Sequence, residues 1–236
     1  METTSSPTSS EPSSRRRLLL AAVAWSVLAA LQVASAWAFS DSGEARQDEL
    51  IYEYEFALSV PLVYGLLIGL TFAIATALGK PLLALGLRGF RLRWMWIAFG
   101  VIVLALVIEV VFQVVFQVNA GEAQGVLPET WRPERLPALV LNGLVIVTLV
   151  PFAEELFYRG LGVPALQMFG APFAIVVTAL VFGFAHGILI ALPGLVALAL
   201  GLAWVRFRSD SVWPCVLAHG AYNGLVLAIA VGAAVA

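Results

Sequence analysis

Long apolar runs divide this sequence, and they constrain its fold more than any other feature. A helix needs about 20 apolar residues to cross a hydrocarbon core that is about 30 Å thick. Inside that core the backbone must satisfy its own hydrogen bonds, which favours helices. The sequence therefore predicts an all-α, polytopic integral membrane bundle of about seven transmembrane helices, with runs at 18–39, 56–79, 95–118, 137–158, 172–187, 188–205 and 213–236.

The composition also indicates a membrane protein. Of the 236 residues, 61% are hydrophobic and only 12% are charged, which is far more apolar than an ordinary soluble domain. We expect a multi-pass protein of the cell membrane, surrounded by the lipid bilayer and without a nucleic-acid partner. The single cysteine, Cys215, excludes an internal disulfide and a cysteine-based metal cluster.

The segment 172–205 is too short for two comfortable crossings. One helix of this pair is expected to be short, tilted or partly re-entrant. Such backbone is tolerated at membrane depth only where protein or water covers it.

Basic residues set the expected orientation, because cytoplasmic loops carry an excess of Lys and Arg. With a cytoplasmic amino terminus, nine basic residues lie in inner segments and three in outer loops, leaving out Arg159 inside a run. The amino terminus is therefore predicted to be cytoplasmic and the carboxyl terminus to lie outside. The inner residues are Arg15, Arg16, Arg17, Lys80, Arg88, Arg91, Arg93, Arg206 and Arg208, and the outer ones are Arg46, Arg132 and Arg135.

The amino-terminal end has two possible interpretations. Residues 1–16 are predicted to form a disordered tail, because this segment is rich in polar residues and has almost nothing to bury. Three arginines then precede the first apolar run, and Ala34-Ser35-Ala36 resembles a signal-peptide cleavage site. The run is nearer in length to a full crossing than to the apolar part of a signal peptide, so an uncleaved first helix is favoured.

The chain is thus expected to have four parts. The tail (1–16) is followed by amino-terminal transmembrane helices (17–118), an outer loop (119–136) and a carboxyl-terminal membrane core (137–236). The residues with the strongest chemical indications all lie in this core.

Ionisable side chains interrupt the apolar runs of the core. Glu154, Glu155 and Arg159 lie in one run, and the only two histidines, His186 and His219, lie in two later runs. An ionisable residue at membrane depth costs roughly 2.5–3.5 kcal/mol by insertion scales and is a functional candidate by default. Carboxylates and imidazoles are also the groups that hydrolytic chemistry uses for proton transfer.

Helix geometry gives the two adjacent glutamates different roles. Glu155 and Arg159 are four residues apart, so they share a face and are expected to form an ion pair. Glu154 is five residues from Arg159 and lies about 140° away from it around an ideal helix. Arg159 can therefore neutralise Glu155 and leave Glu154 free to act as a general base. The structural alternative is a carboxylate–arginine clamp with a second glutamate near the interface.

Each histidine has a neighbour on its own helical face. Phe182 precedes His186 by four residues and is placed to shield the imidazole from lipid. His219 and Asn223 are also four residues apart, and an imidazole with a carboxamide can donate hydrogen bonds to a developing oxyanion. Polar contacts between helices are the structural alternative for all three polar residues. The joint occurrence of these residues in apolar runs favours a catalytic site.

These motifs together resemble the CAAX-protease and bacteriocin-processing (CPBP) family. The matching motifs are Glu154-Glu155-x-x-x-Arg159, Phe182-x-x-x-His186 and His219-x-x-x-Asn223, and the turn from Arg206 to Pro214 is also similar. The resemblance covers roughly residues 137–230. Members of this family are intramembrane endopeptidases related to the type II prenyl-protein peptidase and to bacterial processing proteins. The turn departs from the family pattern, because it has Ser209-Asp210-Ser211 where a glycine is expected.

The resemblance implies a helical bundle around a water-filled cavity and a CAAX-protease-like activity of the glutamic endopeptidase type. Glu154 would activate the hydrolytic water with the assistance of His186. His219 and Asn223 would hold the water or stabilise the tetrahedral intermediate, and Glu155 and Arg159 would support the site. The expected substrate is a membrane-associated peptide or protein, and the motifs do not select among prenylated proteins, peptide leaders and other targets.

The resemblance also raises a metal-dependent alternative. Glu154, His186 and His219 are three side chains of the kinds that bind zinc. The two histidines lack the His-x-x-x-His spacing that would preform a site on one helix. A mechanism without a metal or other cofactor is therefore favoured.

Two other functions use the same residue types. A transporter or proton relay also needs buried carboxylates and histidines, although the sequence lacks the internal repeat that is common in transporters. An inactive membrane scaffold would retain the residues without the chemistry. The favoured interpretation is an intramembrane endopeptidase, a hydrolase that acts on peptide bonds.

Overall fold

The computed structural model describes residues 11–40, 50–79, 81–117, 127–128 and 130–236 of the chain. The regular secondary structure in these ranges is helical, without any strand. The helices are α1 (Glu11–Ser40), α2 (Tyr54–Ala77), α3 (Pro81–Ala84), α4 (Arg93–Phe116), α5 (Pro133–Phe169), α6 (Ala171–Phe184), α7 (Leu192–Ser209) and α8 (Trp213–Val235).

Six of these helices are long and apolar enough to cross a membrane, namely α1, α2, α4, α5, α7 and α8. Large apolar side chains on their outer faces are exposed, such as Leu62 and Leu66 on α2 and Val107 and Val114 on α4. A soluble protein would bury such faces, whereas a lipid-facing helix presents them to the bilayer. The chain is a multi-pass membrane protein, which confirms the predicted polytopic helical bundle.

The segment 172–205 contains one short helix, as the sequence indicated. α6 has 14 residues, which corresponds to about 21 Å of α-helix and is less than the thickness of the hydrocarbon core. α7 has 18 residues, the minimum for a crossing. The helix pair is closely packed, because Gly183 of α6 leaves room for Val196 and Leu192 of α7. The number of crossings and their orientation stay predictions.

α1 begins earlier than the apolar run does. Residues 11–16, which were expected to belong to the tail, form the first turns of α1, and residues 1–10 lie outside the described ranges. A polar turn can extend a membrane helix because its own backbone hydrogen bonds continue while its side chains reach the interface. Farther along, Trp25 is buried and its indole N–H donates to the carbonyl of Phe157 at 3.0 Å. α1 is therefore part of the packed bundle.

α5 is irregular around the two glutamates. Its α-helical turns alternate with wider π-helical turns, which are often found at functional sites. Glu154 and Glu155 end a short α-helical stretch between two π-helical ones. The segments are Pro133–Arg135 (3₁₀), Leu136–Leu144 (α), Val145–Leu149 (π), Val150–Glu155 (α), Leu156–Gly162 (π), Val163–Leu166 (α) and Gln167–Phe169 (3₁₀).

Pro151 gives a physical reason for the first irregular stretch. In the π-helical turn the amide of Val150 donates to the carbonyl of Val145, so the next amide in the series would serve Ile146. Pro151 supplies that nitrogen and has no N–H to donate. The side-chain amide of Asn223 donates to the carbonyl of Ile146 instead, at 3.1 Å. A neighbouring helix thus satisfies the carbonyl that proline frees, as membrane helices require.

The turn before α8 contains Asp210, in the segment where the family pattern has a glycine. Asp210 has a left-handed backbone conformation with φ 57°, which glycine adopts most easily and aspartate tolerates. Its carboxylate forms ion pairs with Arg88 and Arg206. The carbonyl of Gly86 also accepts from the amide of Val212 at 2.9 Å. Asp210 therefore takes the place of the expected glycine and ties this turn to the segment that follows α3.

Close packing of α1 against α5 can be tested at Gly162. A Cβ atom added there would lie 2.7 Å from the Trp25 ring, so Gly162→Ala forces the helices apart and is expected to destabilise the fold by about 1–3 kcal/mol. The measurement is the thermal unfolding midpoint in detergent. Gly65→Ala in α2 is the matched control, because a Cβ there meets nothing within 4 Å. Equal midpoints for the two variants would contradict the packing.

Candidate active site

The ion pair between Glu155 and Arg159 forms the centre of the site. Both side chains are fully buried, and Nη1 of Arg159 donates to Oε1 of Glu155 at 2.8 Å. A second nitrogen, Nη2, lies 3.3 Å from the carbonyl oxygen of Ala199 on α7. The predicted pairing of these residues is therefore confirmed. Because a buried charge is stable only when it is paired, this clamp fixes α5 against α7.

His219 on α8 is attached to the same carboxylate. Its Nδ1 lies 2.9 Å from Oε1 of Glu155, and the imidazole is buried. The carboxylate accepts a hydrogen bond, so we assign the ring proton to Nδ1. In this tautomer Nε2 is the acceptor nitrogen, and it lies 3.8 Å from Oε2 of Glu154. Glu155 thus orients His219 as well as neutralising Arg159.

Glu154 faces away from Arg159 and towards α2. Its Oε1 accepts a hydrogen bond from the hydroxyl of Tyr64 at 2.8 Å. Its Oε2 is buried and has no hydrogen-bond partner among the described residues. The 3.8 Å separation from His219 is too long for a direct hydrogen bond, but both atoms can hydrogen-bond one water molecule. Oε1 of Glu154 is thus held by Tyr64, and Oε2 faces His219.

Phe182 connects the two histidines. Its ring centroid lies 4.6 Å from that of His186 and 5.5 Å from that of His219. The guanidinium carbon of Arg159 lies 4.4 Å from the same ring centroid, in the range of a cation–π contact. The expectation that Phe182 packs against His186 is confirmed, and the ring also packs on the buried ion pair.

His186 lies at the end of α6, beside the cluster and partly buried. Its Nδ1 is 2.8 Å from the carbonyl oxygen of Phe182, so this nitrogen carries the proton and Nε2 is the acceptor. Gly187 follows with φ 67° and lies against the carbonyl of Ala36 at the end of α1. Both histidines therefore donate from Nδ1 to a fixed acceptor.

Asn223 is held by the backbone of α5. Its hydrogen bond to Ile146 joins α8 to α5 about two turns before Glu154. Gly220, which lies between His219 and Asn223 on α8, packs against the carbonyl of Val147 on α5. A Cβ atom added to Gly220 would lie only 2.6 Å from that oxygen. Asn223 and Gly220 together bring α8 close enough for His219 to reach Glu155.

Tyr64 is the residue of the site that sequence reasoning missed. It belongs to α2, in the half of the chain without a recognised motif, and is separated from Glu154 by 90 positions. Its only signal was a phenol in the middle of an apolar run, and such hydroxyls usually find a hydrogen-bond partner when buried. Tyr158 is a second buried phenol nearby, and it donates to Gln32 on α1 at 2.8 Å.

The described residues do not include a group of three or more His, Cys, Asp or Glu side chains arranged to hold a metal ion. In the zinc alternative, Glu154, His186 and His219 would need to converge on one point. Phe182 packs against both imidazoles, and the three side chains do not form a group of this kind among the described residues.

The fold and the cluster define a class of protein. The chain is a multi-pass helical membrane protein with a buried carboxylate–imidazole–guanidinium centre, a combination suited to proton transfer and hydrolysis. Comparison with known families identifies the class more closely. The family model described as "Type II CAAX prenyl endopeptidase Rce1-like" matches residues 136–225, the segment that supplies Glu154, Glu155, Arg159, His186, His219 and Asn223.

This segment belongs to the CPBP, or CAAX protease, family, which confirms the resemblance. The match indicates an intramembrane endopeptidase at the level of the family. No curated protein and no solved structure matches the chain significantly. The roles of the individual residues therefore stay predictions.

The importance of the shared carboxylate can be tested at Arg159. Arg159→Met leaves the Glu155 charge without its main partner and is expected to lower the free energy of unfolding by roughly 3–5 kcal/mol. The double variant Glu155→Leu with Arg159→Met removes both charges and should recover part of that loss. Unfolding in mixed detergent micelles measures both effects. Arg91→Met, at an exposed position, is the control, and an equal effect of the two arginine variants would refute the clamp.

Proposed function

We propose that this protein is an intramembrane endopeptidase in which Glu154 activates a water molecule for attack on a peptide carbonyl. The observation that supports the proposal best is the pair of acceptor atoms formed by Oε2 of Glu154 and Nε2 of His219, 3.8 Å apart. A water molecule placed between them donates one hydrogen to each. Both lone pairs of the water oxygen then remain, and one of them can attack a substrate carbonyl.

Glu154 is the general base of this mechanism. It takes the proton from the attacking water as the oxygen–carbon bond forms, and then transfers it to the amide nitrogen that leaves. The Glu155–His219 hydrogen bond holds the imidazole so that Nε2 keeps contact with the water. Arg159 and Glu155 act through orientation only, because the ion pair is fully buried.

His186 and Asn223 are proposed to act on the substrate side. Asn223 uses one amide hydrogen for Ile146, and its second hydrogen is available to a tetrahedral oxyanion. A donor of this kind typically contributes on the order of 10²–10³-fold to kcat. His186, whose Nε2 is an acceptor, is proposed to assist Glu154 in proton transfer, so the histidines have separate tasks.

The expected orientation agrees with the positions of the polar loops. Arg88, Arg206 and Asp210 lie together at one end of the bundle, whereas Arg135 pairs with Glu53 at the other. We propose that the first end is cytoplasmic, which places the amino terminus inside and the carboxyl terminus outside a cell membrane. Arg46 and Lys80 also entered the prediction but lie outside the described residues.

The proposed base is tested by Glu154→Gln. The carboxamide can still accept the hydrogen bond from Tyr64 but cannot take a proton, so cleavage should fall by at least ~10²–10⁴-fold while the thermal midpoint is retained. The assay uses a farnesylated peptide that ends in Cys-aliphatic-aliphatic-X and its unprenylated form. Peptides that accumulate in native and variant membranes, compared by mass spectrometry, cover other substrates.

Glu134→Gln, at an exposed position of α5, is the matched control and should cleave like the native protein. Normal cleavage by Glu154→Gln would exclude Glu154 as the base. A pH-dependent solute flux without any cleaved peptide would instead favour the transporter or proton relay. Binding of a membrane partner by both proteins, without proteolysis, would favour the scaffold.

We also propose that the reaction needs no metal ion. The described residues contain no group of three or more His, Cys, Asp or Glu side chains arranged to hold a metal ion. Incubation with 1,10-phenanthroline or EDTA should therefore leave the cleavage rate unchanged. Loss of cleavage that added zinc restores would contradict the proposal and support a ligand set of Glu154, His186 and His219.

A further inference from the structure

Tyr64 makes a contact with the proposed base that the family motif does not include. The motif lies within residues 136–225, whereas Tyr64 is on α2 and outside that segment. Its hydroxyl donates to Oε1 of Glu154 at 2.8 Å. The distance is that of a well-formed O–H···O hydrogen bond, so the contact is more than packing.

The contact fixes which carboxylate oxygen faces the water. A glutamate side chain has three rotatable bonds, and its last torsion is broad, so the carboxylate plane is poorly defined without a partner. Because Tyr64 holds Oε1, the second oxygen is directed to His219, where the two atoms lie 3.8 Å apart. Small misplacements of a reacting group lower rates strongly. The orientation of the Glu154 carboxylate therefore depends on a helix from the other half of the chain.

The surroundings of Glu154 leave Tyr64 as its stabilising donor. Glu155 is on the same helix and carries a like charge, while Arg159 pairs with Glu155 instead. The Tyr158 hydroxyl donates to Gln32. The hydrogen bond from Tyr64 is therefore the contact that orients the Glu154 carboxylate.

We infer that Tyr64 is a positioning residue for the proteolytic reaction, which acts by holding the Glu154 carboxylate with Oε2 towards the water. The inference rests on the proposed function of Glu154. It makes α2 a part of the active centre, so that residues 136–225 alone do not complete it.

The experiment compares three residues at position 64 in the full-length protein. Tyr64→Phe removes the hydroxyl and keeps the ring, and kcat for the peptide that the native protein cleaves is expected to fall roughly 10- to 100-fold with KM unchanged. Replacement of Tyr64 by 4-aminophenylalanine restores an N–H donor at the same place and should recover most of kcat. Tyr54→Phe, at an exposed position of the same helix, is the control and should behave like the native protein.

A purely structural tyrosine would give a different pattern. It would lower the thermal midpoint without a selective loss of kcat, and a ring amine would not rescue the rate. Equal kcat in the native protein and Tyr64→Phe, or a loss in Tyr64→Phe that 4-aminophenylalanine does not reverse, would overturn the inference.

Infrared spectroscopy separates this inference from the proposed function. The carboxylate bands of Glu154 are identified by their loss in Glu154→Gln. They should shift in Tyr64→Phe, return with 4-aminophenylalanine and remain unchanged in Tyr54→Phe. Shifted bands together with native cleavage that depends on Glu154 support the inference, and unshifted bands overturn it. If the native protein cleaves no peptide, the proposed function fails and the role of Tyr64 in proteolysis fails with it.

Discussion

A single carboxylate oxygen organises the site. Oε1 of Glu155 accepts from both Arg159 and His219, and all three side chains are buried. The attraction between opposite charges is strong in a medium of low dielectric constant, but it offsets the loss of hydration only when the geometry is good. The shared oxygen has this good geometry because it accepts one hydrogen bond from Arg159 on its own helix and one from His219 on α8. The positions of α5 and α8 are therefore set by electrostatics as well as by packing.

This contact needs two helices to approach more closely than ordinary side chains allow. Gly220 provides the space on α8, because its backbone lies against the carbonyl of Val147. On α5, Pro151 leaves the carbonyl of Ile146 free to accept a hydrogen bond from the side chain of Asn223, which holds the two helices together. Gly220 and Pro151, two residues that disfavour a regular helix, thus bring His219 to the carboxylate of Glu155. Lipid gives apolar helices little reason to associate, so packing by small residues and polar contacts matters more than in water.

Contacts within one helix could be predicted from the sequence, and most contacts between helices could not. The pair Glu155–Arg159 and the packing of Phe182 on His186 follow from a spacing of four residues, and both are present. The hydrogen bond from His219 to Glu155 spans 64 positions. The i,i+4 rule does not reach that far. Which glutamate His219 contacts depends on how α8 packs against α5, and Gly220 and Pro151 determine that packing locally.

In the fold as well, some features could be predicted from the sequence and others could not. Apolar runs predicted the helices well, because length and composition alone decide whether a helix can cross a bilayer. They did not predict the π-helical turns of α5, nor that Asp210 would take the left-handed position of a glycine. Both are local exceptions that depend on partners elsewhere: Asn223 for the freed carbonyl, and Arg88 with Arg206 for the aspartate.

The two adjacent glutamates show how neighbouring identical residues obtain different chemistry. Successive side chains on a helix point about 100° apart, so Glu155 faces α7 and α8 while Glu154 faces α2. The first direction contains a guanidinium and an imidazole, which fully neutralise a carboxylate. The second contains the phenol of Tyr64, which donates one hydrogen bond and carries no charge, and the other oxygen of Glu154 lies 3.8 Å from His219 without a direct hydrogen bond. A carboxylate without a cation paired to it remains available as a base, and for this reason Glu154 rather than Glu155 is proposed as the general base.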